Sequence, residues 1–286
     1  MAVTAGEPGK GDDDLTGVLR HVALNTLAAT RARTVNSQET REFLEIGLDL
    51  LRQDLLEHTG PDMDGAERSR LFESVSRERI LKRAEQVDTN QTRLLSDTMF
   101  RRRWQHKNRY TEDLIAYLFR LDPQYRHLET MEAAAEQLVR TVSFGDLVRT
   151  LAAQEMQLTA NDPLLALQSI LQAALPRHPR VREFVTAQYE LLLPRWAGLY
   201  ERVALAYGLR IRTGLTWMDM ALLFNAVIDG TLIRARIDGN APALSDGSGV
   251  LSAAIMAMVP SLLDPPTSDV DQLFASPSGT RENTGM

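Results

Sequence analysis

The stretch LSDTMFRRRWQHK, Leu95 to Lys107, has the spacing of a short amphipathic helix. Phe100 and Trp104 stand four residues apart, so on a helix they share a face that can pack into a core. The other face carries polar side chains, namely Thr98, Arg101, Arg102 and Gln105. This pattern is typical of a helix whose polar face enters a groove, and equally of an ordinary helix with a solvated arginine-rich face.

The region around this helix is basic, although the whole chain of 286 residues carries a net charge of -6. Between Ser76 and Arg109 there are ten basic and four acidic residues, which makes the window +6 and the rest of the chain -12. A basic patch on an acidic body is typical of a localised contact with DNA. The charge distribution therefore favours a nucleic-acid contact near this helix.

Hydrophobic periodicity predicts helices along most of the chain, and its length predicts two domains. The first predicted helix covers 15–33, where one face carries Leu15, Leu19, Val22, Ala23 and Leu27. The next begins at a cap at Asn36 or Ser37 and continues through Leu55. The remaining predicted helices are 76–86, 92–104, 111–120, 128–142, 144–157, 162–175, 179–207 with a kink at Pro194, 216–236 and 247–263. The sequence thus predicts an all-α protein of about eleven helices without a sheet.

Composition limits the compartment and the chemistry. There is no cysteine, which excludes disulfides and cysteine-ligated zinc. The first residues are acidic and glycine-rich rather than a basic start followed by an apolar run, and no stretch approaches the ~20 apolar residues of a membrane span. We expect a cytoplasmic protein without a membrane partner, with disordered tails at 1–14 and 265–286.

The segment Leu95–Lys107 resembles the recognition helix of the tetracycline-repressor (TetR) family, which typically reads Val-Ser-x-Gly-Thr-Phe-Tyr-x-x-Phe/Trp-x-x-Lys. Leu95 and Ser96 match its first two positions, and Phe100, Trp104 and Lys107 match the anchors and the final lysine in the same register. The segment SRERILKRAEQV, 76–87, is similar to the second helix of that family, with Ser76 as the cap, Ile80 in the core and Ala84 at the close-packing position.

Two further segments are similar to the same family. They are ETREFLEIGLDLL, 39–51, which is similar to its first helix, and GLRIRTGLTWMDMALLFNAVIDGTLIRARID, 208–238, which is similar to a run before its final long helices. The resemblance implies a three-helix helix-turn-helix DNA-binding domain at 15–122, with an extra N-terminal helix, and a larger helical ligand-binding and dimerisation domain at 123–264. It further implies a homodimeric transcriptional regulator that binds double-stranded operator DNA and responds to a small apolar effector.

The resemblance also implies roles for individual residues. Those expected to position the protein on phosphates are Ser76, Arg77 and Lys107, and those expected to face base edges are Thr98, Arg101 and Arg102. The chain departs from the family at Thr98, where a glycine is usual, and at Arg101, where a tyrosine is usual. Asp97 also points to the expected DNA surface, and the linkers 59–75 and 88–92 are longer than a tight turn. The same fold without DNA binding, acting as a ligand-sensing or protein-interaction dimer, is therefore a second hypothesis.

Aromatic and methionine side chains of the C-terminal half either line a ligand pocket or simply fill a core. The expected pocket residues are Trp196, Tyr200, Trp217 and Phe224, with Met218 and Met220 beside them. A remote alternative, an all-helical enzyme, depends on the Asp12–Asp14 cluster, which has no second acidic motif to face it. The five histidines form no ligand-spaced pair, so we expect no catalytic residue, no metal site and no cofactor.

Overall fold

The computed structural model describes residues 14–57, 71–72, 75–87, 95–139 and 141–264, and most of them are helical. The helices are α1 (Ala28–Val35), α2 (Gln38–Leu55), α3 (Arg77–Val87), α4 (Asp97–Arg103), α5 (Lys107–Leu118), α6 (Asp122–Leu138), α7 (Phe144–Thr159), α8 (Pro163–Ala174), α9 (Pro179–Ala187), α10 (Leu193–Ala206), α11 (Trp217–Asp238) and α12 (Val250–Leu262). Strands β1 (Arg210–Ile211) and β2 (Leu263–Asp264) form one antiparallel pair. The all-helical expectation is confirmed. The expectation of no sheet is wrong, because the chain forms this short strand pair.

Hydroxyl side chains cap the beginnings of several helices, at the predicted places for α2, α7 and α11 but five residues later than predicted for α4. Ser37 caps α2, Ser96 caps α4 and Ser143 caps α7, each accepting a backbone N–H of the first turn. Thr216 and Asp219 form a reciprocal capping box at the start of α11. These caps satisfy N–H groups that have no partner within a helix, and so they fix where each helix begins.

The prediction of a helix over 15–33 is wrong for its first half. Turns occupy the segment as far as Thr26, with Ala23 at a φ of 49°. The guanidinium group of Arg31 donates to the carbonyl oxygens of Leu19, Arg20 and Val22. These carbonyl groups are therefore satisfied by a side chain rather than by a helix ladder.

Burial in this segment agrees with the predicted apolar stripe at four of its five positions. Leu15, Leu19, Val22 and Ala23 are buried, whereas Leu27 is 81% exposed. A spacing of three and four residues indicates which side chains are buried, but turns that meet a core at the same intervals produce the same pattern.

The chain folds into two compact units. The first contains Met1–Asp122 and Pro163–Thr186, and the second contains Pro123–Asp162 and Ala187–Met286. The predicted boundary between 15–122 and 123–264 agrees with the first change of unit, but α8 and nearly all of α9 belong to the first unit. Their residues Leu167, Leu171 and Val181 are buried in its core. Of the predicted tails, 1–14 and 265–286, only Asp14 lies within the described residues.

The irregularity expected at Pro194 takes the form of a π-helical turn. This turn, Gln188–Leu192, joins α9 to α10. Proline lacks the N–H group that would bond to the carbonyl four residues earlier, at Glu190, so the regular ladder cannot continue through this point. The predicted single helix 179–207 is therefore two α-helices with a wider turn between them.

Candidate nucleic-acid interface and ligand cavity

The apolar face of α4 is fixed in the core of the first unit. Phe100 is 3% exposed and Trp104 is 1% exposed. The Phe43 ring on α2 meets Phe100 edge-on at 5.3 Å and Trp104 at 6.0 Å between ring centroids. Tyr110 on α5 completes the cluster at 5.1 Å from Phe100 and 4.9 Å from Trp104. The core role predicted for both aromatic residues of α4 is confirmed.

A buried carboxylate connects this aromatic cluster to the irregular N-terminal segment. Asp113 on α5 accepts a 3.0 Å hydrogen bond from Nε1 of Trp104 and a 2.8 Å bond from the backbone N–H of Arg20. It also accepts the N–H of His21 at 3.0 Å. Burial raises the pKa of Asp113 above its ordinary value, although these hydrogen bonds oppose the rise. No motif in the sequence predicts this role for Asp113.

The third arginine of α4 is structural rather than free for a ligand. Arg103 donates from Nε to Thr40 Oγ1 at 2.9 Å and from an Nη atom to Ser37 Oγ at 3.0 Å. It also pairs with Glu39 at 3.3 Å, and its side chain is only 10% exposed. These contacts attach the end of α4 to the start of α2. Arg103 therefore fixes the direction in which α4 presents its outer face.

The outer face of α4 carries the side chains predicted for base contacts. Thr98, Arg101 and Arg102 are all exposed. Arg102 makes no hydrogen bond or ion pair with any described residue. Lys107, in the first turn of α5, is exposed as well.

Asp97 pairs with two of the predicted DNA-binding arginines. Its Oδ1 lies 2.8 Å from Nε of Arg77 on α3, and its Oδ2 lies 2.7 Å from Nε of Arg101. Ser76 is engaged too, because its hydroxyl accepts the backbone N–H of Arg79 at 3.2 Å and so caps α3. The structure thus brings Ser76, Arg77 and Arg101 to the adjoining ends of α3 and α4, with a carboxylate between the two arginines.

Acidic residues of α2 compensate further basic residues of the window. Arg79 pairs with Asp54 at 3.3 Å, and Arg83 pairs with Asp49 at 2.8 Å. With Arg77, Arg101 and Arg103, at least five of the ten basic residues counted between positions 76 and 109 are in ion pairs with described residues. The sequence window overstates the local charge because α2 lies outside it. The predicted linkers 59–75 and 88–92 fall almost wholly outside the described residues.

The second unit contains an apolar cavity of about 80 Å³ that is partly open to solvent. Its walls come from α6, α7, α10, α11 and α12. The lining side chains are Met131, Phe144, Leu147, Val148, Leu151, Ala152, Glu155, Trp196, Leu199, Tyr200, Val203, Ala204, Met220, Phe224, Ile228, Leu251, Ile255 and Val259. Seventeen of these eighteen are apolar or aromatic, so the cavity favours an apolar occupant.

Three of the four predicted pocket residues line this cavity, namely Trp196, Tyr200 and Phe224. Trp217 does not. It stands in the first turn of α11, one turn before the lining residue Met220, and packs against the two clusters that contain Met220 and Ala221. Periodicity identifies a face of α11 but not where along it the cavity ends, so the ligand role of Trp217 stays a prediction without support from this cavity.

Glu155 is the single acidic residue in the cavity wall, and it was not among the residues predicted for the pocket. It is buried on α7, and its Oε2 lies 2.8 Å from Nε2 of His127 on α6. Burial lowers the pKa of His127, but the hydrogen bond and charge of Glu155 and the charge of Asp162 outweigh it, so that this pKa lies above its ordinary value. No local sequence pattern joins residues 127 and 155, because only the packing of α6 on α7 brings them together.

Two polar groups of the wall are left without protein partners. Glu155 Oε1 and the Tyr200 hydroxyl make no hydrogen bond with any residue in the described ranges. Burial and the charge of Glu155 raise the pKa of Tyr200, so its hydroxyl keeps its proton. The cavity therefore offers one free acceptor oxygen and one hydroxyl within an apolar wall.

No family model, curated protein or solved structure matches this chain. Within the described ranges, no group of three histidine, cysteine or acidic side chains is arranged to hold a metal ion. No described helix combines the length and apolar character needed to cross a bilayer. Asp12 and Asp13 of the acidic cluster lie outside the described residues.

Proposed function

We propose that this chain is a homodimeric transcriptional regulator that binds operator DNA through α3 and α4 and responds to a small apolar effector in the cavity of its second unit. One observation carries the DNA-binding part. Phe100 and Trp104 fix α4 in the core by one face, while Thr98, Arg101 and Arg102 remain exposed on the other. A short helix anchored in this way suits the recognition position of a helix-turn-helix, with α2 and α3 as its supporting helices.

Salt-dependent binding to DNA tests this proposal directly. Neutralised phosphates release counterions, so affinity for random duplex DNA should fall steeply between about 50 and 200 mM salt. Absence of binding at low salt would contradict the proposal. A stronger test is the pair Arg101→Ala and Arg102→Ala, which should each weaken binding with at most a small fall in melting temperature, because both side chains are exposed and the Arg101 ion pair contributes at most about 1 kcal/mol.

The matched control for these two variants is Arg103→Ala. Because Arg103 attaches α4 to α2, its loss should lower stability as well as DNA affinity. If all three variants lowered affinity only in proportion to lost stability, the exposed arginines would have no direct role at DNA.

The dimer part of the proposal is supported by α11, which is apolar on two faces. Met220, Phe224 and Leu232 pack inward. Outward, Leu222, Ile233 and Ile237 are 43%, 53% and 74% exposed. These outer residues follow helical spacing, and Ala226 and Gly230, both exposed, complete the stripe.

A helix that is apolar on two faces is typical of one that is buried on both sides, and a second copy of the chain supplies the missing cover. Two copies also present two recognition helices to half-sites about 34–36 Å apart. Sedimentation at micromolar concentration tests this part, and a monomer would contradict it.

A second candidate function keeps the helical fold and the cavity without DNA binding. It is favoured by the pairing of Asp97 with Arg77 and Arg101, which occupies two of the proposed phosphate and base contacts. In that case the chain acts as a ligand-sensing or protein-interaction dimer. It would sediment as a dimer and bind apolar ligands, yet fail to bind DNA at any salt concentration.

A further inference from the structure

The polar groups in the cavity wall restrict the chemistry of its occupant. Seventeen apolar or aromatic residues exclude a strongly polar molecule, because burying polar groups without partners costs several kcal/mol. Glu155 Oε1 and the Tyr200 hydroxyl are nevertheless both without a partner among the described residues. An occupant that satisfies them needs a hydrogen-bond donor for the carboxylate, and its oxygen can accept from the tyrosine.

The charge balance of the wall separates neutral donors from cationic ones. His127 donates to Oε2 of Glu155 at 2.8 Å, and Glu155 raises the pKa of that imidazole. When the imidazole is protonated, the pair is neutral overall. An ammonium group would then be buried as an uncompensated charge, whereas a hydroxyl group adds no charge.

We propose that the cavity binds a small, neutral and largely apolar molecule with one hydroxyl group, a phenol or an alcohol, which donates to Glu155 Oε1 and accepts from Tyr200. This inference rests on the effector part of the proposed function and specifies its ligand class. The cavity of about 80 Å³ is smaller than the ~150 Å³ of an engineered cavity that binds benzene. Met131 and Met220 in the wall are flexible enough to yield space for a single ring.

The experiment compares three probes of similar size by isothermal titration in the absence of DNA: toluene, p-cresol and benzylamine. In the unmodified chain, p-cresol binds most tightly, although it is more polar than toluene. Glu155→Gln lowers the affinity for p-cresol about tenfold, because a charge-assisted hydrogen bond becomes a neutral one, and it leaves the affinity for toluene unchanged. Tyr200→Phe lowers the p-cresol affinity a few-fold and provides a second variant if Glu155→Gln fails to fold.

Glu136→Gln is the matched control, since it makes the same change at an exposed position of α6 and should alter none of the affinities. Toluene binding as tightly as p-cresol, or no binding of any probe, would overturn the proposal. Benzylamine binding more tightly than p-cresol would overturn the neutral head group. The DNA titration is separate. If p-cresol binds most tightly but the chain does not bind DNA, the ligand class is retained and the regulator proposal is rejected. If the chain binds DNA but p-cresol does not bind most tightly, only the ligand class is rejected.

Discussion

Replacing Asp97 with asparagine should strengthen DNA binding while slightly weakening the fold. The carboxylate of Asp97 forms ion pairs with Nε of Arg77 at 2.8 Å and with Nε of Arg101 at 2.7 Å. All three side chains are between 43% and 59% exposed, so each ion pair contributes at most about 1 kcal/mol. Binding to DNA through Arg77 and Arg101 must displace both pairs and must bring a carboxylate close to the phosphates.

Removing this carboxylate should therefore gain about 1–2 kcal/mol per subunit, or roughly five- to thirty-fold in affinity. The plot of log affinity against log salt should also steepen, by about 0.9 for each arginine that newly contacts a phosphate. Asp97 stands in the first turn of α4, where a negative charge stabilises the helix by about 0.3–1 kcal/mol, so the melting temperature should fall slightly.

Fluorescence anisotropy with a labelled duplex at several salt concentrations measures both effects, and thermal unfolding measures the stability. Glu136→Gln changes the net charge equally on the second unit and should leave the slope unaltered. Equal affinity gains in both variants would show that only net charge matters. An unchanged or reduced affinity in Asp97→Asn alone would refute the assignment of Arg77 and Arg101 to the DNA surface.

Three further predictions concern the fold, its pH dependence and its assembly. Gly47→Ala should lower the free energy of unfolding in urea by about 1–3 kcal/mol, because the new Cβ would lie 2.1 Å from the hydroxyl oxygen of Tyr110. A decrease under about 0.5 kcal/mol would contradict this steric conflict. Because the pKa of His127 is raised in the folded state, protonation of His127 stabilises the fold below about pH 6.5, and this stabilisation is lost as the pH rises through the folded-state pKa. The melting temperature of His127→Gln should therefore lack this dependence on pH. Ile233→Glu should give a monomer by sedimentation, whereas exposed Glu136→Gln should not.

The helical class and the inner face of α4 could be predicted from the sequence because both depend on local spacing. A four-residue separation puts Phe100 and Trp104 on one face of any helix, and both are buried. Caps such as Ser37 act within one turn, so the beginning of α2 could also be predicted, whereas α4 begins at Asp97 rather than at the predicted Thr92. The same local information failed at 15–26, where Arg31 and Asp113 stabilise turns from outside the segment.

The candidate sites depended on partners distant in the sequence, and spacing contains no information about those. The charge of the basic window is reduced by α2, whose paired acidic residues come from 25 to 64 positions earlier in the chain. Glu155 meets His127 across 28 positions, and neither belongs to a motif.

The sequence by itself thus determined the helical class, the beginnings of several helices and the buried face of α4, because these depend on interactions within a few residues. Only the tertiary structure decided which arginines are neutralised, which unit contains α8 and where the cavity has its polar groups. Those features follow from the packing of helices that are far apart along the chain.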